Sequence, residues 1–318
     1  MANCLVIGGN GFLGSHVVDA LAGAGHRVAA FDRFGMHPVQ FADHRVEIIA
    51  GDFLNVGDIR AALVDREIVL HFLSTTDPAT SEGDPRLDIR TNLASSVDLF
   101  EACADAGVSC VYFASTGGAI YGDQVRTVFR ETDLAEPVSP YAIGKQAIEG
   151  YLRYFRRKRG LESVSFRISN PYGPRQDPTK RQGVIPIFLR QLALGRPLTV
   201  FGDGSMVRDY LYVEDMAEMI AQIVSTGTRH HLYNLGSGVG TSLDELIQHM
   251  AAATGLVPEI QLEPRPPTFV DHVTLDTHRY VAEFGPRTMT GLTDGIRRTW
   301  LEMRSHLGNG SPEAVIPS

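Results

Sequence analysis

The sequence predicts an α/β fold, a doubly wound parallel sheet with a smaller C-terminal α/β lobe built onto it. Three observations carry this. Between Cys4 and Ile168, short apolar runs without polar alternation recur, separated by stretches with helical spacing. Such runs suit strands covered on both faces, and strands alternating with helices form parallel sheets. A glycine cluster, Gly8-Gly-Asn-Gly11-Phe-Leu-Gly14, falls between the first run and the first helical stretch. After Asn170 the texture changes to loops rich in Pro and Gly, such as Asn170-Pro-Tyr-Gly-Pro174 and Phe201-Gly-Asp-Gly204.

Composition excludes several other classes. A chain of 318 residues that is 43% hydrophobic can offset the entropy of folding, so disorder is not expected. No apolar run approaches the roughly 20 residues of a membrane helix. The net charge of −8 disfavours a general nucleic-acid or anionic-membrane binder. Cys4, Cys103 and Cys110 have neither metal-like nor paired spacing. Reduced thiols, a cytoplasmic setting and no metal are therefore expected. No basic segment precedes the first apolar run, so no secretory signal is expected.

Taken in order, residues 4–7 read as the first strand. Residues 15–24 read as a helix with Val17, Val18, Leu21 and Ala22 on one face. Strands are predicted at 27–31, 46–50, 67–73, 109–114 and 163–168. Helices are predicted at 56–64, 92–106 and 141–157. Farther on, 215–224 is helical with Met216, Met219, Ile220 and Ile223 inward. Ser242-Leu-Asp-Glu245 is a capping box opening a helix whose inward residues are Leu243, Leu246, Ile247 and Met250. Residues 1–168 are expected to form one domain and 169–307 the smaller lobe, with some of its segments returning to the first. Residues 308–318 are expected to be a flexible tail.

The glycine cluster has a chemical reading. Glycines in a strand-to-helix turn permit positive φ and let a pyrophosphate approach the backbone, while the helix N-terminus offers free N–H groups. Gly8, Gly11 and Gly14 have that placement. Asp32 ends the second strand 18 residues beyond Gly14. A carboxylate there suits both hydroxyls of an adenosine ribose and repels a 2′-phosphate, which favours NAD over NADP. Arg33 weakens that preference. Asp52-Phe53 follows the third strand, where an acid could reach an adenine amino group or merely cap a helix.

Tyr141 and Lys145 lie four residues apart, on one helix face, with Pro140 marking the helix start. An ammonium beside a phenol favours the phenolate, so the tyrosine pKa is expected to fall toward neutrality. Such a tyrosine can take a proton from a hydroxyl. Upstream, Ser115-Thr116-Gly-Gly-Ala-Ile-Tyr121-Gly122 places a hydroxyl pair at the end of a strand, on the ligand crevice of a doubly wound sheet.

Together these residues resemble the extended short-chain dehydrogenase/reductase family, in its nucleotide-sugar epimerase branch. The resemblance runs through Gly8-x-x-Gly11-x-x-Gly14, Asp32, Asp52-Phe53, His71-Phe72-Leu73-Ser74, Asn92, Tyr121-Gly122 and Tyr141-x-x-x-Lys145. It continues through Arg167-x-x-Asn170-Pro-Tyr-Gly, Gly202-Asp-Gly204, Arg208-Asp-Tyr-x-Tyr212 and Asn234-Leu-Gly-Ser-Gly238. It implies a Rossmann domain holding NAD and a C-terminal lobe holding a nucleoside-diphosphate sugar. Tyr141 would be the base, Lys145 its electrostatic partner, and Thr116 or Ser115 an assisting hydroxyl, with Thr116 favoured. Cofactor binding would involve Gly8, Gly11, Phe12, Leu13, Gly14, Asp32, Arg33, Asp52, Phe53, Phe72, Leu73, Ser74, Asn92, Tyr141, Lys145, Ile168 and Pro171. Substrate binding would involve Thr116, Tyr141, Asn170, Val184, Thr199, Phe201, Arg208, Val239, Arg265 and Asp271. Asn170, Arg208 and Arg265 would hold the diphosphate, and Phe201 would stack near the base.

Within this branch, dehydratases and decarboxylases carry acids in the turn before the Tyr-Gly dipeptide. Here that turn is Gly117, Gly118 and Ala119. What remains is oxidation and reduction at one carbon, which implies a 4-epimerase of the UDP-glucose/UDP-galactose type. A UDP-N-acetylhexosamine or UDP-glucuronate epimerase, and a 4-keto-sugar reductase using NADPH, are the alternatives. Val273 is expected near the sugar. The five basic residues within 153–159 read as a solvated helix end rather than an RNA site. A homodimer is expected through helices 92–106 and 141–157, with Phe100, Ile148, Leu152 and Phe155 in the seam.

Overall fold

A computed structural model describes residues 1–35, 38–180, 182–266 and 270–308. The tail predicted over 308–318 lies, from 309 onward, outside these residues. The first half runs β1 (Asn3–Ile7), α1 (Phe12–Gly23), β2 (Arg27–Asp32), β3 (Glu47–Ala50), α2 (Val56–Ala62), β4 (Ile68–His71), α3 (Pro78–Gly83) and α4 (Pro85–Asp88). A π-helical turn, Ile89–Leu93, leads into α5 (Ala94–Ala106), β5 (Cys110–Thr116), β6 (Val128–Phe129), α6 (Pro140–Arg159) and β7 (Glu162–Ile168). Beyond it come β8 (Asn170–Tyr172), α7 (Val184–Ala193), β9 (Leu198–Phe201), β10 (Val207–Tyr212), α8 (Val213–Thr226), β11 (Leu232–Leu235) and β12 (Gly240–Ser242). The chain closes with α9 (Leu243–Thr254), β13 (Ile260–Glu263), β14 (His272–Leu275), α10 (His278–Phe284) and α11 (Leu292–Gly308).

The main sheet has the order β11-β7-β5-β4-β1-β2-β3, and every pairing in it is parallel. The strand order reverses between β1 and β4. In an open α/β sheet, ligands bind beyond the carboxyl ends of the strands at that reversal. The ends of β1, β2, β4 and β5 therefore carry the glycine turn, Asp32, Leu73-Ser74 and Ser115-Thr116 to one edge. Strand β11 and the helix packed on α1, α8, come from beyond residue 168, so the chain passes out of this layer and back. A second sheet, β12-β10-β14-β6 with β8 beside β10, forms the lobe above the crevice, and β9 pairs with β13 separately.

Two apolar layers sandwich the main sheet. On one face Val17, Val18 and Leu21 of α1 meet Met216, Met219, Ile220 and Ile223 of α8. Fully burying each side chain of this kind contributes about 1.5–3 kcal/mol. The other face holds α5 and α6. Here the structure corrects the predicted dimer seam, because Phe100, Ile148, Leu152 and Phe155 are all buried against Val111 and Phe113 of β5. The apolar residues that α6 leaves exposed are Ile143, Tyr151 and Tyr154. In the lobe, the predicted Ser242–Glu245 capping box is present, and Leu243, Leu246, Ile247 and Met250 face inward.

Among the boundaries that differ from the sequence pattern, two have a clear local reason. The strand predicted over 67–73 ends at His71, where its neighbour β1 gives way to the glycine turn. The helix predicted from 92 begins at Ala94, because the preceding turn is π-helical and Asn92 lies inside it. All three cysteines are free, and burial pushes the Cys4 thiol up to about 12. Among the described residues no helix is long and apolar enough to cross a membrane.

Candidate active site

The glycine turn is held against the ends of β2 and β4. Gly8 and Gly9 donate to the Phe31 carbonyl at 2.9 and 3.1 Å, and Gly11 donates back to Gly8 at 3.0 Å. Gly8 has φ +85°, and a Cβ on it would lie 2.7 Å from the Leu73 nitrogen. A Cβ on Gly14 would lie 2.1 Å from the Gly8 carbonyl oxygen. The turn can thus close onto the first turn of α1 only with glycine at 14. No side chain caps α1 at Gly11, which leaves the first N–H groups, those of Phe12 and Leu13 among them, for an anion. The Asp32 carboxylate accepts from the backbone N–H groups of Asn10 (3.2 Å) and Arg33 (2.8 Å), so it stands beside the turn, while Arg33 is exposed. This cradle fits a dinucleotide.

The remaining expected cofactor residues divide by what their side chains do. Phe72, Leu73 and Ser74 line the exit of β4, and Pro171 lies in β8, the first strand beyond the main sheet. Ile168, at the end of β7, takes the Gly117 N–H on its carbonyl at 2.6 Å. Asp52 accepts from the Leu54 N–H at 3.0 Å and so caps its own turn, and the Phe53 ring is buried against His71, 5.1 Å away. Asn92, expected at the cofactor, is bonded within the protein. Its Oδ1 accepts from Thr75, and its Nδ2 donates to Thr76 and Asp88, which engages both ends of the amide within the protein.

Ser139 caps α6 and Pro140 opens it, setting Tyr141 and Lys145 on its first turns below the end of β5. Lys145 is buried, donates to the Ala114 carbonyl at 2.9 Å, and lies over the rings of Phe113 and Tyr141, 4.8 and 5.7 Å from their centroids. Burial lowers the Lys145 pKa to about 8 against the opposing pull of Asp88. Here an expectation fails. Burial, with Asp88 and Asp77 adding negative charge, pushes the Tyr141 phenol up to about 12 rather than down. The lysine has not reversed this, because its ammonium faces the ring and a backbone carbonyl, and two carboxylates oppose it.

Strand alternation separates the two hydroxyls. Ser115 is buried and donates to Glu149 Oε1 at 2.6 Å, whereas Thr116 at the strand end is partly open. Glu149 also takes a bidentate contact from Arg167, at 3.1 and 2.9 Å, and the Arg167 guanidinium stacks over Tyr121, 4.9 Å from its centroid. Tyr121 in turn donates to Asn234 at 2.7 Å. Ser115 is thus committed to a buried network with Glu149, Arg167 and Tyr121, and Thr116 is the hydroxyl left partly open. In the turn that follows, a Cβ at 117 would press on Leu275 Cδ1 at 2.5 Å and on the Arg167 and Ile168 carbonyl oxygens at 3.0 and 3.1 Å. One at Gly118 would press on the Asn170 amide at 3.2 Å.

The lobe contributes the cations. Arg208 donates to the Val207, Val270 and Asp271 carbonyls, and burial lowers its pKa, with the charge of Arg265 acting in the same direction. Arg265 pairs with the Asp271 carboxylate. Two guanidiniums therefore meet at Asp271, and the Asn170 amide donates to the Asp209 carbonyl of β10 at 3.2 Å. Residues 267–269, between Arg265 and Asp271, lie outside the described residues. Asp209 itself is buried and accepts from Ser237, Gly238 and Leu275, which locks β10 under Arg208. Thr199 and Phe201 lie on β9, Val184 opens α7, and Val239 is exposed in the turn before β12. Val273, expected near the sugar, is buried with Ile120, Tyr121 and Phe129. Sequence reasoning missed Asp88, Glu149 and Asp209, and the four-residue spacing of Asp88 and Asn92 was the one local signal for the first.

A profile of the NAD dependent epimerase/dehydratase family matches residues 4–236. A UDP-glucose 4-epimerase of Mycolicibacterium smegmatis is 33% identical over 303 residues, covering 93% of this chain and 96% of the relative. The crystal structure of Thermus thermophilus UDP-glucose 4-epimerase in complex with NAD is 36% identical and superposes with a TM-score of 0.87, covering 95% of this chain and 99% of that one. A UDP-N-acetylglucosamine 4-epimerase from Methanobrevibacter ruminantium, 26% identical, superposes equally well at 0.87 over 96% of this chain and 99% of that one. The glycine cradle, the Tyr141–Lys145 pair and these matches agree: the chain belongs to the NAD dependent epimerase/dehydratase family.

Proposed function

We propose that the protein is an NAD-dependent 4-epimerase of a nucleoside-diphosphate sugar, of the UDP-glucose/UDP-galactose type. The observation that carries this is the Tyr141–Lys145 pair beneath the end of β5, a strand that runs into a turn at 117–119 carrying no carboxylate. Bound NAD supplies the acceptor and then the donor of a hydride. Tyr141 takes the proton of the sugar 4-hydroxyl as that carbon is oxidised, and returns it when the 4-keto sugar has presented its other face. Lys145 supplies positive charge to the phenolate, and Thr116 donates a hydrogen bond to the reacting oxygen. Asn170, Arg208 and Arg265 hold the diphosphate, so that only the sugar turns. Arginine suits that task through its bidentate fork. Asp271 is the anion that the diphosphate displaces from Arg265.

The M. smegmatis and T. thermophilus relatives, both UDP-glucose 4-epimerases, support the glucose/galactose reading. The test is a panel of UDP-glucose, UDP-N-acetylglucosamine and UDP-glucuronate with separation of the epimers. UDP-glucose should be converted to an equilibrium mixture without net formation of NADH. Conversion of another member alone reassigns the sugar, and stoichiometric consumption of NADPH makes the protein a reductase. We further propose a cytoplasmic homodimer joined through the outer face of α6, where Ile143, Tyr151 and Tyr154 are exposed. Light scattering at the 34.7 kDa monomer mass would overturn it.

A further inference from the structure

We propose that Asp88 is a positioning residue for the Tyr141–Lys145 pair, a buried carboxylate docked against the α6 backbone between them that sets their charge state. Asp88 ends α4 and is 3% exposed. Its Oδ1 is fixed from two sides. The Thr75 N–H donates to Asn92 Oδ1 at 2.8 Å, which orients that amide, so Asn92 Nδ2 faces Thr76 (2.7 Å) and Asp88 (2.8 Å). Thr76 already accepts from Asn92, so its one proton goes to Asp88, at 2.5 Å. The π-helical turn after Asp88 carries Asn92, and such bulges recur at functional sites.

The other oxygen, Oδ2, reaches α6. A Cβ on Gly144 would lie 2.2 Å from it. Gly144 lies inside the turn that joins Tyr141 to Lys145 and is helical, so glycine is needed there for space rather than for an unusual φ. A glycine inside a helix costs about 1 kcal/mol relative to alanine, a loss accepted at the one position that admits the carboxylate. A buried carboxylate needs a counter-charge, and the buried cation on the same turn is Lys145.

The groups around the pair come from several elements. Asp77, the N-cap of α3, faces Tyr141 with Asp88. His71 of β4 is held neutral, its pKa lowered to about 3 by burial and by Lys145. Glu149, one turn farther along α6, is engaged by Arg167 and Ser115. Asp88 is thus the acid that opposes the effect of burial on Lys145, and it also favours the protonated phenol of Tyr141.

Asp88→Asn tests this, because it keeps the shape and removes the charge. The chain has only three lysines, Lys145, Lys158 and Lys180, so carbon-13 labelling at lysine Cε gives a small spectrum in which Lys145→Arg identifies the relevant signal. In the folded Asp88→Asn protein the Lys145 midpoint should fall by on the order of one pH unit, with Lys158 and Lys180 unmoved. Gly144→Ala, which displaces the Asp88 carboxylate without removing its charge, should move the same midpoint in the same direction if Asp88→Asn does not fold. An unchanged Lys145 midpoint in a folded variant overturns the proposal. The kinetic arm rests on the proton-handling reading of Tyr141 and Lys145, and there the basic limb of the kcat profile should move down with the midpoint. A shifted midpoint with an unmoved pH profile would leave the charge coupling standing and remove that reading instead.

Discussion

Tyr141→Phe should lower turnover at least ~100-fold, the usual contribution of a positioned general base, while leaving the KM for the sugar nucleotide within a few-fold of its original value. The phenylalanine keeps the ring over which Lys145 lies and removes only the hydroxyl. Burial beside Asp88 and Asp77 holds that hydroxyl protonated, at about 12, in the protein alone. Its proton can therefore be released near neutral pH only when positive charge is gathered around it. The variant should still co-purify with NAD, since the glycine cradle and Asp32 lie on other strands. Initial rates of UDP-sugar epimerisation check the prediction, and near-normal turnover would take Tyr141 out of the mechanism.

Arg167→Met should destabilise the fold by about 3–5 kcal/mol, the cost of leaving a buried charge without its partner. Glu149 and Arg167 are 3% and 7% exposed at their side chains, so neither has water to fall back on. Burial opposes the Arg167 charge, but the two bonds to Glu149 outweigh it and hold the guanidinium pKa above its usual value. With the guanidinium gone, Glu149 keeps only the Ser115 hydroxyl, and Tyr121 loses the cation over its ring. Replacing both members, as Glu149→Leu with Arg167→Met, should recover most of the loss, because an apolar pair of similar volume needs no counter-charge. Urea unfolding of the two variants measures the difference. If the single variant unfolds at the wild-type midpoint, the pair contributes nothing to holding α6 on the main sheet.

Much of this fold could be read along the chain. The apolar runs at 4–7, 27–31 and 163–168 became β1, β2 and β7 within a residue or two, because a strand buried on both faces leaves no polar alternation to misread. The capping box at Ser242 and the proline before Tyr141 were equally legible, since a helix start is decided by the next three or four residues. Other features were hidden for a physical reason. Phe100, Ile148, Leu152 and Phe155 have the same spacing whether they face a second subunit or their own sheet, and only packing against β5 decided between the two. The short π-helical turn at 89–93 has no sequence signature of its own. Within it Asn92 bonds back to Thr76 and Asp88, partners that only the fold brings together.

By itself the sequence determined the order of strands and helices, the glycine cradle with its facing Asp32, and the four-residue spacing of Tyr141 and Lys145. Each depends on neighbours a few residues away, within reach of backbone geometry. The tertiary structure alone decided that Ser115 turns inward to Glu149 while Thr116 stays partly open, and that Arg208 and Arg265 converge on Asp271. It also decided that the Tyr141 phenol is raised rather than lowered. These depend on burial and on charges brought together from distant parts of the chain. A lysine four residues away could be counted along the sequence, but the burial that raises the Tyr141 phenol, and the Asp88 and Asp77 charges that add to it, come only with the fold.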